Sequence, residues 1–440
     1  MPYYSDIEDL ARDVCHWADL RNEQGHDAAA VIREVRKYLM RARSRLRYIE
    51  PTADQLRVEP NDLAAIQALR PKGPRIIANV VSEPGFKDRL RGAWLCRAAG
   101  CTLGVPVENW SIEHMAALAK RCKMSFPPKD YWKAHPWPET HRYGASTMAD
   151  YLRGGIKSIP VDDDLAYTVL GLLILEKYGP GFTTQQVAEA WKKYLPMACT
   201  AEERALNSLN KGVAPLKAGA ANNPFQEWIG AAIRGDAWGY AAAGWPERAA
   251  AMAYNDAFLS HRQNGIYGAM FAAATIAAAF TVDKPLDAVR IGLTEIPAES
   301  RLAKDIKWAL RVSGNVKDWR KARAAVDRRF KGMHPVHTNN NACLTIFGLA
   351  LGKGDVTRTL GITVAMGLDN DCTAATAGSI IGAVVGAQAV PGQWWKPFRN
   401  KTRTYLKGKE WFKNTDLLTR FEKAARKVWA THEADASGGK

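Results

Sequence analysis

A pair of aspartates followed by a long run of small residues constrains this chain more than any other stretch. Asp369 and Asp371 lie one residue apart and are followed by a small, apolar segment, residues 374–387. Three glycines in that segment recur at every fourth position: Gly378, Gly382 and Gly386. Glycines at this spacing share one face of a helix, where a neighbouring helix can approach closely. We therefore predict a buried helix whose N-terminal end carries two carboxylates, either as capping groups or as part of a site.

A second acidic cluster, Asp162, Asp163 and Asp164, lies far earlier in the chain, also just before an apolar helical segment, residues 167–178. Three adjacent carboxylates repel one another, so folding them together is unfavourable unless a cation or a basic group compensates. A site built from both clusters would offer oxygen ligands, which suit Mg²⁺ or Ca²⁺ better than zinc. The two clusters together predict one shared metal site.

Little of the chain alternates between apolar and polar residues, and no internal repeat is visible, so we expect an all-α fold. The hydrophobic content of 47% is ample for a large core, and no apolar run is long and uncharged enough to span a bilayer. Seven cysteines without CxxC spacing are typical of reduced thiols, which predicts a cytoplasmic protein without a membrane partner. The net charge of +16 favours weak binding of a polyanionic partner or substrate.

Proline spacing and composition divide the chain into three parts. Residues 1–84 predict a helical N-terminal appendage, whose second helix ends in a basic run at residues 41–47. Either phosphate binding or ordinary solvation of a helix end explains that run. Residues 85–395 predict a single large helical domain, and residues 396–440 a basic C-terminal tail.

Three motifs in a fixed order resemble those of the ADP-ribosylglycohydrolase family. Residues 100–108 (GCTLGVPVE) resemble the family's GDALGxPxE segment, and residues 162–168 (DDDLAYT) resemble its TDDT segment. Residues 369–372 (DNDC) resemble its DTDT segment, with the usual Gly-rich helix behind it. This resemblance, over about residues 86–391, implies an all-α fold, a dinuclear Mg²⁺ site and removal of ADP-ribose from a protein or another acceptor.

The resemblance also implies roles for particular residues. We expect two divalent cations, Mg²⁺ with Mn²⁺ as a substitute, held by Asp162, Asp163, Asp164, Asp369, Asp371 and Cys372. The expected catalytic residues are Asp163, Asp371 and Glu108, the last in gating or substrate positioning. The expected substrate-binding residues are Gly230 and Arg234 in the IGAAIR run, His261 at a helix break, and Asn340 in a polar loop before a buried helix.

The chain departs from the family pattern at four of these positions. Cys101 stands where the family has aspartate, and Asp162, Asn370 and Cys372 stand where it has threonine. Sulfur is a poor ligand for Mg²⁺. Cys372 therefore either replaces a threonine ligand or packs as a small apolar residue while Thr373 or a water completes the ligand shell.

Several functions fit these observations. The first is Mg²⁺-dependent hydrolysis of the glycosidic bond between ADP-ribose and a protein, nucleic acid or small-molecule acceptor. The alternatives are a glycosidase for a ribosylated small molecule or nucleoside, and a catalytically weak protein that binds ADP-ribose without turnover. A nucleic-acid binder using the +16 charge would instead show a steep dependence of affinity on salt.

Overall fold

The computed structural model describes residues 3–134 and 141–438, with the backbone alone for His141 and residues 433–438. Within these residues the fold is all-α, as predicted, with two short antiparallel β-hairpins. The described helices include none with the length and apolar character that a membrane span requires.

The helices and strands follow in chain order. The helices before the body are α1 (Ser5–Glu23), α2 (Ala29–Arg47), α3 (Ala53–Val58) and α4 (Leu63–Ala68). The next are α5 (Phe86–Gly104), α6 (Ile112–Arg121), α7 (Asp163–Tyr178), α8 (Thr184–Tyr194), α9 (Thr200–Asn210), α10 (Pro215–Ala218), α11 (Gly235–Ala241) and α12 (Pro246–Ala257). The last are α13 (Asn264–Ala279), α14 (Pro285–Gly292), α15 (Arg301–Ser313), α16 (Trp319–Arg329), α17 (Thr338–Gly352), α18 (Val356–Ala365), α19 (Asn370–Val385) and α20 (Asn414–Gly438). The hairpins are β1 (His141–Arg142) with β2 (Ser146–Thr147), and β3 (Lys401–Arg403) with β4 (Trp411–Lys413). Turns of 3₁₀ helix lie at Val80–Ser82, Val105–Val107, Met148–Tyr151, Ile229–Arg234, Leu293–Glu295, Ala387–Ala389, Gly392–Trp394 and Lys396–Phe398.

The centre of the body is formed by helices that are buried along most or all of their length. Every residue of α13 is buried, and α5, α7 and α19 are buried along most of their length. A helix that is hydrophobic all round has no face to present to water and therefore packs inside. The body is consequently organised around these four helices.

Helices α5 and α19 pack backbone against backbone, as the glycine spacing predicts. A Cβ at Gly382 would overlap the carbonyl oxygen of Gly92, and one at Gly378 would overlap that of Cys96. The close-packing face is thus confirmed for Gly378 and Gly382. Gly386 also lies against α5, where a Cβ would overlap the side chain of Asp88, and it ends α19 with φ of 76°, a conformation that glycine adopts without strain.

The same contact between helices positions one residue of the acidic clusters. A Cβ at Gly104 would overlap the Cα of Asp371, so one of the two helices would have to shift. We expect Gly104→Ala to lower the free energy of unfolding by about 1–3 kcal/mol, the usual cost of overpacking a core. Urea denaturation measures this effect. Gly181→Ala is the control, because a Cβ at Gly181 meets only open space. An equal loss in both variants would contradict the close packing at Gly104.

The parts that flank the predicted domain contribute to its core to different degrees. Helices α1 and α2 contain no buried residue. The segment that follows them packs on the body, where Ile66 is buried and Glu59 pairs with Arg301. Helix α20 buries Leu417 and Phe421 in the same core cluster. The domain boundaries at residues 84 and 395 stay predictions.

Candidate active site

The fold brings the two acidic clusters together at the N-terminal ends of α7 and α19. Helix α7 begins at Asp163, earlier than the predicted start at residue 167, because Asp162 caps it. The Oδ1 of Asp162 accepts a hydrogen bond from the backbone N–H of Asp164 at 3.0 Å. Asp369 precedes α19 without forming a side-chain cap, so capping does not explain its position. The cap is therefore Asp162, which the sequence assigned only to the metal site, whereas Asp369, a predicted capping candidate, forms none.

Three groups of side chains in this region could hold a cation. In each group the ligand atoms lie within 4.8 Å of one another. The groups are Glu108 with Asp369 and Asp371, Asp164 with Asp371 and Cys372, and Cys101 with Asp162 and Asp164. We call the six carboxylates of this region the acid cluster: Glu108, Asp162, Asp163, Asp164, Asp369 and Asp371.

The acid cluster carries more negative charge than the surrounding side chains neutralise. Together with the neighbouring Asp236, its six carboxylates share two guanidinium groups, those of Arg97 and Arg142. Removal from water raises the pKa of Asp369 to about 6. The pKa values of Asp163, Asp164 and Asp371 are raised well above the ordinary value, again chiefly by burial. The excess charge favours a bound cation.

Arg97 is a fully buried arginine that supports the acid cluster from behind. Its Nη2 donates to the Oδ1 of Asp164 at 3.1 Å, and its Nη1 pairs with Asp236 at 2.6 Å. It also donates to Thr168 and to the backbone carbonyl of Ile233. The sequence did not single out this residue, although an arginine inside an otherwise apolar helix signals a buried charge that needs a partner.

Arg142 enters the acid cluster from strand β1 and was also missed by the sequence analysis. Its guanidinium lies 2.7 Å from Glu108, 2.8 Å from Asp162 and 2.9 Å from Asp371. The neighbouring Tyr143 has φ of 52°, which reverses the chain beside the cluster. An arginine next to a tight turn carries no sequence signal of such contacts.

The donor atoms of the acid cluster fit a hard divalent cation. The Oδ2 of Asp164 and the Oδ1 of Asp369 are buried and have no hydrogen-bond partner among the described residues. Burial raises the pKa of both the Cys101 and the Cys372 thiols well above the usual value. Each candidate group offers at least two carboxylates, so oxygen donors dominate, as Mg²⁺ requires. The Oγ1 of Thr373 is likewise buried without a partner in the described chain, so both interpretations of Cys372 stay open.

A cleft of about 410 Å³ opens beside the acid cluster. One end is lined by four of the acids: Glu108, Asp163, Asp369 and Asp371. The walls include Tyr143, Tyr167, Ile229, Ile233 and Val336. This size, with apolar walls and polar groups at one end, suits a small organic ligand.

Of the four residues predicted to bind substrate, Gly230 lines the cleft and Arg234 lies behind its wall. Arg234 is 1% exposed and forms ion pairs with Glu202 and with Asp256, the latter at 2.6 Å. It also donates to the Gly230 carbonyl at 3.2 Å. The contacts of Arg234 thus support the wall segment that carries Gly230, and its direct role with substrate stays a prediction.

His261 and Asn340 are buried and do not contribute to the cleft lining. The Nδ1 of His261 lies 2.8 Å from the Ser260 hydroxyl, and burial lowers the pKa of its ring well below the usual value. Asn340 donates to the His334 carbonyl at 2.9 Å, which fixes the loop that carries Val336 to the cleft. Their substrate-binding assignments stay predictions.

The fold is all-α, and the carboxylates of the acid cluster lie at the ends of two helices with a cleft beside them. These features are those of an all-α protein with a candidate divalent-cation site. The model of the ADP-ribosylglycohydrolase family matches residues 82–431, and the chain belongs to that family. The curated proteins compared with the chain include no match. A solved structure described as "ADP-ribosylglycohydrolase-related protein complex" is 18% identical, with a TM-score of 0.47, and the alignment covers 78% of this chain and 99% of that one.

Proposed function

We propose that this protein is an Mg²⁺-dependent hydrolase that cleaves the N- or O-glycosidic bond between ADP-ribose and an acceptor. The observation that carries the proposal is the convergence of both acidic motifs and Glu108 at one end of the cleft, in a chain of the ADP-ribosylglycohydrolase family. The free cysteine thiols support action in a reducing cytoplasm.

The residues that would hold a cation are those with free or shared carboxylate oxygens, Asp164, Asp369 and Asp371. When bound there, a divalent cation would polarise and orient the hydroxyls of the ribose next to the scissile bond. Mg²⁺ is favoured because each candidate group offers at least two carboxylates, and sulfur is a poor ligand for this cation.

The side chains of the cleft supply the remaining requirements of glycosidic hydrolysis. Cleavage develops positive, oxocarbenium-like charge at the anomeric carbon, which the carboxylates of Asp163 and Asp371 at the cleft surface would stabilise. Glu108, held by Arg142, would position substrate at the same end. The ring of Tyr167 and the side chain of Ile229 offer an apolar wall for the nucleoside part of the ligand.

A panel of acceptors tests the proposed reaction. The protein would be incubated with ADP-ribosylated arginine and serine peptides, ADP-ribosylated nucleic acid and ribosylated nucleosides, with and without Mg²⁺, and the products identified by mass. We expect Mg²⁺-dependent release of ADP-ribose from at least one acceptor. Release of ribose from a nucleoside alone would support the glycosidase alternative. Binding of ADP-ribose without any product would instead identify a binding protein.

The positive charge should help to capture substrate rather than to perform the chemistry. The net charge is +16, and α2 carries exposed arginines at positions 33, 36, 41, 43, 45 and 47. We expect higher salt to raise KM while kcat changes little, because screening weakens long-range attraction before it alters buried contacts. Steady-state kinetics over a salt series measures this, and an equal change in kcat would remove the charge from substrate capture.

A further inference from the structure

Arg142 contacts the acid cluster through all three of its guanidinium nitrogens. Nη1 lies 2.7 Å from the Oε2 of Glu108. Nε lies 2.8 Å from the Oδ2 of Asp162, and Nη2 lies 2.9 Å from the Oδ2 of Asp371. Asp162 caps α7, and Asp371 lies in the first turn of α19, so a single guanidinium joins the ends of both helices and Glu108.

Contacts on the outer side hold Arg142 in this position. Its guanidinium lies over the ring of Tyr143, 5.2 Å from the ring centre, and that ring packs on Tyr405. Strand β2 is fixed to the segment before α7, because the Ser146 hydroxyl accepts a hydrogen bond from the Val161 N–H at 3.1 Å. The side chain of Arg142 is 23% exposed, so it faces the cleft rather than bulk solvent. Arg142 is therefore a built part of the cluster and not a mobile surface arginine.

The oxygens that Arg142 leaves free belong to other residues of the cluster. The Oδ2 of Asp164 and the Oδ1 of Asp369 are buried without a hydrogen-bond partner in the described chain. These two free oxygens belong to different candidate groups, and both groups include Asp371, which also pairs with Arg142. The cluster therefore contains one fixed positive charge with three carboxylate partners, together with unsatisfied carboxylate oxygens suited to a metal ion.

We propose that Arg142 takes the place of one of two cations, so that the acid cluster binds a single divalent cation. The inference rests on the proposed function, since it takes the cluster to be a cation site. A guanidinium contributes one positive charge and directed hydrogen bonds but has no open coordination position. Glu108, Asp162 and Asp371 consequently keep their ion pairs with Arg142 when a metal ion is bound, and Asp371 contributes to both the ion pair and the cation site.

The number of bound ions tests this inference without any measurement of activity. Full-length protein stripped with a chelator would be titrated with Mg²⁺ by calorimetry, and bound metal counted by elemental analysis. We expect one ion per chain in the wild type and two in Arg142→Met, because removal of the guanidinium frees three carboxylates. Arg153→Met is the matched control, since Arg153 pairs with Asp130 outside the acid cluster, and should bind one ion.

The outcomes separate the inference from the proposed function. Two ions in the wild type, or one in both the wild type and Arg142→Met, would overturn the inference and leave the hydrolase proposal intact. No bound ion in the wild type would contradict the proposed cation site itself. If Arg142→Met does not fold, the number of ions bound per wild-type chain still tests the inference. Arg142→Lys, which keeps a positive charge, should also bind one ion per chain.

Discussion

Replacing Arg97 with methionine is expected to lower the free energy of unfolding by about 3–5 kcal/mol, the usual cost of removing one partner of a buried ion pair. Arg97 has no solvent exposure, and neither do the side chains of Asp164 and Asp236 that it pairs with. Its removal leaves two buried carboxylates without their counter-charge. It also leaves the carbonyl of Ile233 without a donor that lies 2.7 Å away.

Urea denaturation of the metal-free proteins measures this effect without a contribution from bound cations. Lys87→Met is the matched control on the same helix, α5. Lys87 is 72% exposed and pairs with Glu422 at 3.3 Å, so we expect a loss of only about 0–1 kcal/mol. A loss in Arg97→Met no larger than that of the control would show that Arg97 does not neutralise the acid cluster.

The largest effect on activity is expected for Asp369→Asn. The amide keeps the size of the side chain but removes the charge of an oxygen that has no hydrogen-bond partner in the described chain. We expect a fall in activity of roughly 100- to 1,000-fold, the order found when one electrostatic group of an active site is removed. Added Mg²⁺ should no longer raise the melting temperature, because ligand stabilisation requires binding to the folded state.

The melting temperature of the same variant without metal is a second test, and here no loss of stability is expected. Burial and the charge of Glu108 raise the pKa of Asp369 to about 6, so its ionised form is unfavourable in the fold above that pH. A neutral amide removes this penalty, and metal-free Asp369→Asn should melt no lower than the metal-free wild type. Asp287→Asn, at a half-exposed surface pair, is the control and should keep the full Mg²⁺ response. A variant that lost stability without metal would indicate a packing role for Asp369.

The features that the sequence predicted are those encoded in local patterns. The spacing of Gly378 and Gly382 predicted the close approach of two helices, because the helical period determines which residues share a face. The acidic motifs predicted a shared site, since carboxylates that repel one another need a common counter-charge. The length of α7 was underestimated, because its cap, Asp162, was interpreted only as a metal ligand.

The features that the sequence missed depend on contacts between distant segments. Arg97 and Arg142 acquire their roles from carboxylates that lie elsewhere in the chain, and no local pattern records those partners. The direction of a side chain is a tertiary property as well. A motif located the segment of Arg234, but only the fold shows that this side chain is buried in ion pairs with Glu202 and Asp256.

The most direct test of a cation-dependent hydrolytic site is the release of ADP-ribose before and after removal of divalent cations. Wild-type protein and Asp369→Asn would be stripped with a chelator, checked by elemental analysis, and given ADP-ribosylated acceptors with and without added Mg²⁺. We expect release by the wild type to stop when the cations are removed and to return with Mg²⁺, and Asp369→Asn to release little under either condition. Undiminished release by protein that contains no divalent cation would contradict the assignment of the acid cluster as the active site's cation centre.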